Sequence, residues 1–310
     1  MKKSITIERL LFFLFIMFST PGFAGKQLII KSGESLTQTT DQLSAYGEGI
    51  QINTNGFLTV TPSGNGECKN SIYGSGNLTL DASNLTITLT LANVTGTTTI
   101  ESGTYVGNVD KGPLILKSSV TPPKYTSWKL NGNPFVQGIS GTDGSVSSIN
   151  MSGHSLTIAN SSTFNGSISG SGGLTIQGGT STFGSASSGG ISGSGGLTIS
   201  ASSEDQPTSV TLQGVNTYSG TTTIGSYSSL IASTATLPQP NPQSPSAGNI
   251  VADGVFIFNQ SLNGVSINGT FAGSLSGSGL VVVEKEVLIL QEDPPMSPFQ
   301  GFCLQHLGGV

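Results

Sequence analysis

The chain has 310 residues, of which 9% are charged and 44 are glycine, and its formal net charge is −5. About two in five residues are Gly, Ser or Thr. So few charges exclude a disordered polyelectrolyte, the glycines lack the every-third-residue period of collagen, and good helix formers are too scarce for an ordinary helical domain. The abundant small polar and β-branched residues favour strands and turns.

The first 24 residues have the organisation of a secretory signal peptide. Lys2, Lys3 and Arg9 are basic, and residues 10–18 form an apolar run. The small residues Gly22 and Ala24 lie on either side of Phe23. The apolar run is too short for a stable bilayer-spanning anchor. We predict cleavage after Ala24 and export of the mature chain across the inner membrane.

Residues that usually carry catalysis or ligand recognition are scarce. Arg9 is the single arginine, so the mature chain lacks the guanidinium group that commonly reads phosphate and guanine. His154 and His306 are too few for a histidine-containing triad or a multi-histidine metal site. Cys68 and Cys303 do not make a closely spaced disulfide framework, although one bridge between them stays open. We predict a protein that is not an enzyme, with no catalytic, cofactor-binding or metal-binding residues and no nucleic-acid partner.

Short strings recur along the chain. Gly-Ser-Gly-x-Leu occurs at 74–78, 170–174 and 193–197, with a near copy at 277–280, and residues 90–100 align with 211–224. Recurrent strings of this kind are typical of a solenoid, in which each repeat packs on its neighbours. The predicted structural residues of the repeat are Gly193, Ser194, Gly195, Leu197, Asn216, Tyr218, Gly220, Thr223 and Ile224.

Within the repeats, aliphatic residues alternate with threonine. Leu85, Ile87, Leu89 and Leu91 are separated by threonines, a period of two that places the aliphatics on one side of a strand. Many short strands with glycine corners fit either a sandwich or a solenoid. Because the repeats are sequential and irregularly spaced, we predict an all-β fold, a right-handed parallel β-helix (β-solenoid).

The predicted organisation has four parts. Residues 1–24 are the signal peptide and 25–69 an N-terminal cap with the first turns. Residues 70–283 form the β-helix repeat region, with insertions near 105–135 and 237–247. Residues 284–310 are a tail that departs from the repeat in composition.

The insertion near 105–135 differs from its surroundings. Aromatic and cationic residues gather there, and such groups stack on sugars or dock a partner. The candidate ligand-binding residues are Trp128, Tyr125, Lys124 and Lys129. The alternative is an insertion that packs on the rod through its own aromatics.

The segment 215–224, followed by 229–232, resembles the autotransporter-associated β-strand repeat of type V secretion passengers, also known as the passenger-associated transport repeat. The resemblance is strong over about 160–283 and weaker over 70–106. It implies passage through an outer-membrane β-barrel translocator, folding as a β-helix at the cell surface, and repeats that assist passenger folding and transport. It further implies that no catalytic residues belong to the repeat. We predict a structural or adhesive role, with a host-cell surface or a glycan as partner, and no cofactor.

The chain departs from that family after Leu280. Nothing beyond this point has the ten-residue alternation of membrane strands, so we expect the barrel to be missing from this chain. We hypothesise a frameshift or truncation that left a passenger fragment, periplasmic if no barrel partner exists. Two alternatives stay open. One is a β-helical polysaccharide-degrading enzyme with clustered carboxylates, for which Glu204 and Asp205 are an adjacent acidic pair, although a solvated loop explains them better. The other is a non-functional remnant.

Overall fold

The computed structural model describes residues 25–63, 66–120, 123–141, 146–186, 188–260, 269–284, 288–290 and 305–307. The predicted signal peptide, residues 1–24, and Cys303 lie outside the described residues, as does most of the predicted tail. Cys68 is a buried free cysteine.

The described chain is nearly all β and forms a solenoid of about 11 turns with almost no helix. Strands of successive turns pair in parallel and in register; Leu28 pairs with Ile50, for example, and Ile50 with Ile72. Each regular turn passes through three sides of the rod, which we call face 1, face 2 and face 3. The parallel β-helix predicted from the sequence is confirmed.

The strands, numbered in chain order, divide among the three faces. Face 1 consists of β1 Leu28–Ile30, β3 Ile50–Ile52, β6 Ile72–Gly74, β8 Ala92–Val94 and β10 Val109–Lys111, followed by β15 Phe135–Val136, β18 Leu156–Ile158, β21 Leu174–Ile176, β24 Leu197–Ile199, β27 Thr222–Ile224, β29 Ile250–Ala252 and β32 Leu275–Ser276. Face 2 consists of β2 Ser35–Thr39, β4 Phe57–Thr61, the first parts of β7 Asn77–Leu89 and β9 Thr98–Val106, then β11 Pro113–Leu116, β16 Gly138–Gly141, β19 Ser162–Phe164, β22 Gly179–Phe183, β25 Thr208–Leu212, β28 Ser228–Ala232, β30 Val255–Asn259, β33 Leu280–Glu284 and β35 Gln305–Leu307. Face 3 consists of β5 Glu67–Cys68, the later parts of β7 and β9, then β14 Thr126–Lys129, β17 Ser147–Asn150, β20 Ser167–Ser169, β23 Gly190–Gly193 and β26 Thr217–Tyr218. Two small pairs complete the set: the antiparallel β12 Ser119–Val120 with β13 Pro123–Lys124, and the parallel β31 Gly269–Phe271 with β34 Leu288–Leu290.

The alternation of apolar and polar residues explains why these segments are strands and which side chains form the core. Inward positions stack like on like along the axis, as in the register of Ile176, Ile199 and Ile224, each of which is fully buried. Burying such columns of branched apolar side chains is the main favourable term in the folding of the rod.

The alternation fails at one corner. Ile87 and Leu89 are buried as predicted, whereas Leu85 is 63% exposed. Ser83 and Asn84 take positive φ values of +49° and +68° where β7 turns from face 2 to face 3. Because this bulge interrupts the period of two, the expectation that Leu85 points inward was wrong.

A short helix, α1 Thr40–Ser44, packs against β5 at the N-terminal end of face 3. Thr39 and Gln42 form a capping box at its start, and Leu43 is fully buried. A helix over a strand edge prevents that edge from pairing with another chain. It lies within the region predicted to hold the N-terminal cap.

The first glycine of every Gly-Ser-Gly string has the same backbone conformation. The φ values of Gly74, Gly170, Gly193 and Gly277 are +120°, +122°, +111° and +113°. The strings nevertheless occupy two different corners. The copies at 74–78 and 277–280 join face 1 to face 2, whereas those at 170–174 and 193–197 join face 3 to face 1. The sequence repeat therefore shifts by one face along the rod.

Candidate functional site

Trp128, the centre of the predicted ligand-binding cluster, lies in the core. Its side chain is fully buried on β14, in register with Tyr105 and Ile149 on the neighbouring turns. The indole Nε1 donates a hydrogen bond of 2.8 Å to the carbonyl oxygen of Gly107. The indole has no exposed surface with which to contact a sugar, so it acts as a packing residue.

The other members of that cluster are on the surface. Tyr125 is 59% exposed at the corner that precedes face 3, Lys124 ends the small hairpin of β12 and β13, and Lys129 is exposed at the end of β14. Binding by these three residues stays a prediction. The predicted insertion near 105–135 contains regular strands of all three faces, and the extra chain is confined to residues 117–125.

The predicted repeat residues divide into inward and outward sets. Leu197, Tyr218 and Ile224 are buried in the core, whereas Thr223 points outward from face 1 and Ser194 is exposed. Gly195 and Gly220 lie on the backbone of the preceding turn, where a Cβ on Gly195 would be 1.8 Å from the carbonyl oxygen of Gly172. Tyr218 Oη and Thr222 Oγ1 are 2.6 Å apart, and burial raises the pKa of Tyr218 to about 12.

Asn216 connects its own turn to the preceding turn and to the segment that follows β28. Its side-chain oxygen accepts from the Ile191 backbone N–H at 2.8 Å, and its Nδ2 donates to the carbonyls of Gly214 and Thr236 at 2.8 and 2.6 Å. The residue is 2% exposed. All these contacts are to backbone, so Asn216 stabilises the entry into the loop that contains the predicted insertion at 237–247.

Groups with catalytic or metal-binding chemistry are dispersed. Glu204 and Asp205 are exposed in a loop between β24 and β25 that a bridge between Ser203 and Gln206 closes. Among the described residues, no three His, Cys, Asp or Glu side chains are grouped so that they could hold a metal ion. In the same residues, no helix is long and apolar enough to cross a membrane.

Face 2 presents two adjacent columns of outward residues, which we call the face 2 strip. The first column is Ser35, Phe57, Asn77, Thr97, Pro113, Gly138 and Ser161, and the second is Thr37, Thr59, Thr79, Thr99, Ile115, Ser140 and Thr163. None of these side chains carries a charge. The strip is thus an uncharged array in which most side chains bear a hydroxyl group, including every member of the second column except Ile115.

Two features interrupt that array. The Phe57 ring is 46% exposed, although the neighbouring Leu58 and Val60 are buried. Further along, Pro113, Gly138, Ser140, Ser161 and Thr163 line a depression of about 300 Å³. Neither the exposed Phe57 nor the depression was predicted from the sequence. The exposure of Phe57 could have been, because this residue occupies the threonine side of an alternating strand.

Comparisons with family models, with curated proteins and with solved structures find no match to this chain. Its function is argued from its own residues and fold.

Proposed function

We propose that the chain is an exported β-helical passenger, or passenger fragment, of an autotransporter-like surface protein, with a structural or adhesive role. The observation that carries the proposal is the parallel pairing of face 2 strands through successive turns, together with the one Gly-Ser-Gly conformation that four corners share, from Gly74 to Gly277. Such a stack can grow turn by turn from one end, because each turn contacts only its neighbours. This property suits a chain that folds as it emerges from a membrane.

The surface chemistry supports a role without catalysis. Glu101 is paired with Lys117 at 2.6 Å, Asp81 accepts a 2.8 Å hydrogen bond from Ser102, and Glu284 accepts one of 3.2 Å from Asn259, so these three carboxylates of face 2 have partners. A glycoside hydrolase needs two carboxyl groups facing one substrate bond. The structural or adhesive role uses instead what the rod offers, an extended uncharged surface.

Export is tested by expressing the full-length chain in a Gram-negative host and separating the cell fractions. The mature N-terminus, determined by mass spectrometry, is expected to be Gly25, with the protein outside the cytoplasm. A matched variant, Ala24→Lys, places a large charged residue at the cleavage position and should retain residues 1–24. Intact Met1 on a cytoplasmic wild-type chain would refute export.

A further inference from the structure

We propose that the face 2 strip binds an uncharged glycan chain that lies parallel to the rod axis, with Phe57 and Pro113 as its two apolar platforms. The inference rests on the proposed function, since it names the partner class of an adhesive surface. It differs from the cluster around Trp128, whose indole is inside the core.

The two platforms are aligned. Phe57 and Pro113 belong to the same outward column and are separated by Asn77 and Thr97, that is, by three turns of the rod. With neighbouring strands about 4.8 Å apart, the platforms are about 14 Å from each other. That distance suits a short oligosaccharide, whose rings present apolar C–H faces and a polar rim.

Polar groups lie beside the platforms and between them. The second column runs about 7 Å away along the strands and supplies the hydroxyls of Thr59, Thr79 and Thr99 beside Phe57 and Asn77. Asn77 Oδ1 accepts a 2.9 Å hydrogen bond from the Thr97 backbone N–H, which fixes its amide on the surface. Apolar platforms with a few fixed polar groups are the usual composition of a small-molecule site.

An open surface depression lies near Pro113 on the strip. Pro113, Ser140, Ser161 and Thr163 are among the residues that line it, and Gly138 contributes no side chain. A Cβ on Gly138 would come within 2.7 Å of the Ser161 carbonyl oxygen, so the packing of the turns keeps this position empty. Strand propensity alone accounts for the threonines of face 2, but for neither the exposed phenylalanine nor this cavity.

The charges select an uncharged ligand. Both columns lack charged side chains, and of the carboxylates beside them Glu101 is paired with Lys117, with Nζ and Oε1 2.6 Å apart, while Asp81 accepts a 2.8 Å hydrogen bond from Ser102. Neither column contains cationic side chains that would attract an acidic polysaccharide, whereas a neutral polysaccharide does not depend on such attraction. The expected ligand is therefore a neutral polysaccharide, held by stacking and hydroxyl contacts.

The test is affinity electrophoresis of the full-length protein in gels containing galactomannan, hydroxyethyl cellulose or dextran, with polygalacturonate as the acidic comparison. Retardation is expected in at least one neutral polysaccharide and should persist at high salt, because no ion pairs hold the ligand. The variant Phe57→Ala should weaken binding roughly two- to tenfold, the fold-change that corresponds to one aromatic contact. The control is Phe135→Ala, since Phe135 is 41% exposed but lies on face 1.

A second pair of variants tests the cavity. Ser140→Leu fills the depression and should abolish or strongly reduce retardation, whereas Thr211→Leu, at the same outward column further along face 2, should not. Equal effects of Phe57→Ala and Phe135→Ala, stronger binding to polygalacturonate, or no retardation in any neutral gel would overturn the proposal. Export is scored separately by the mature N-terminus, so an exported chain that binds no glycan overturns this inference alone.

Discussion

A Cβ on Gly193 would lie 1.9 Å from the carbonyl oxygen of Gly170, the glycine at the same corner of the preceding turn. Both residues have φ values in the left-handed region, +111° and +122°. Here the backbone of one turn rests directly on that of the next, which only glycine allows.

Replacing Gly193 by alanine should therefore lower the free energy of unfolding by at least about 2 kcal/mol, since strain and the backbone clash add together. Chemical denaturation followed by far-ultraviolet circular dichroism measures the change. The control Ser194→Ala alters an exposed neighbour and should stay within about 0.5 kcal/mol of wild type. Equal midpoints for the two variants would contradict the stacked corner.

Trp128 provides a probe of the core, because the chain has one tryptophan. Its fluorescence should be blue-shifted and insensitive to acrylamide in the native state. Trp128→Ala should cost about 3–5 kcal/mol, as expected for removing a large buried side chain. Tyr125→Ala, at a 59% exposed position, should cost little. Acrylamide quenching of the native protein comparable to that of the unfolded chain would show that the indole is accessible.

The loop between β28 and β29 depends on a buried amide. Gln260 is fully buried, accepts from the Thr234 backbone N–H at 2.9 Å and donates to Thr234 Oγ1 at 3.1 Å. Gln260→Leu keeps the side-chain volume but leaves a buried N–H without its partner, so we expect a loss of about 1–3 kcal/mol. Gln243→Leu changes an exposed glutamine of the same loop and serves as control. Equal stability of the two variants would argue against the contact.

Buried tyrosines should make the rod sensitive to alkali. Burial raises the pKa of Tyr218 from 10.0 to about 12, and it also raises the pKa of Tyr105. Because the unfolded chain ionises first, the stability from the neutral hydroxyls is complete below pH 10 and is lost as the pH rises through about 12. Denaturation midpoints measured at increasing pH should fall steeply in this range. Tyr218→Phe should reduce the dependence of the midpoint on pH. The same dependence in Tyr218→Phe and wild type would contradict the burial of Tyr218.

Alternation and glycine corners were sufficient to predict the solenoid. The strings that begin at Leu78, Leu174 and Leu197 are all strands whose aliphatic residues are buried and whose threonines face outward, as their period of two indicates. The shift of the repeat by one face could not be predicted, because all three faces consist of the same element: a short alternating strand followed by a tight corner. A string such as Leu-Thr-Ile fits any of them.

The candidate site was harder to predict for a different reason. Trp128 stood out by composition, with lysines and prolines nearby, yet it continues the inward column of Tyr105. That column is recognised only once it is known which strands, more than 20 residues apart in the chain, pair with each other. The face 2 strip likewise brings together Phe57, Pro113 and Ser161, which the chain separates widely and which share no motif.

Surface display tests the proposal that this chain is a passenger-type solenoid. Residues 1–283 would be joined to the β-barrel of a known autotransporter and expressed in a Gram-negative host, and intact cells would then be treated with protease. We expect the protease to cleave the rod from the outside of intact cells, and we expect the predicted signal peptide to have been removed after Ala24 before that cleavage. A fusion that remains protected inside the cell, while the same barrel displays its own passenger, would contradict it.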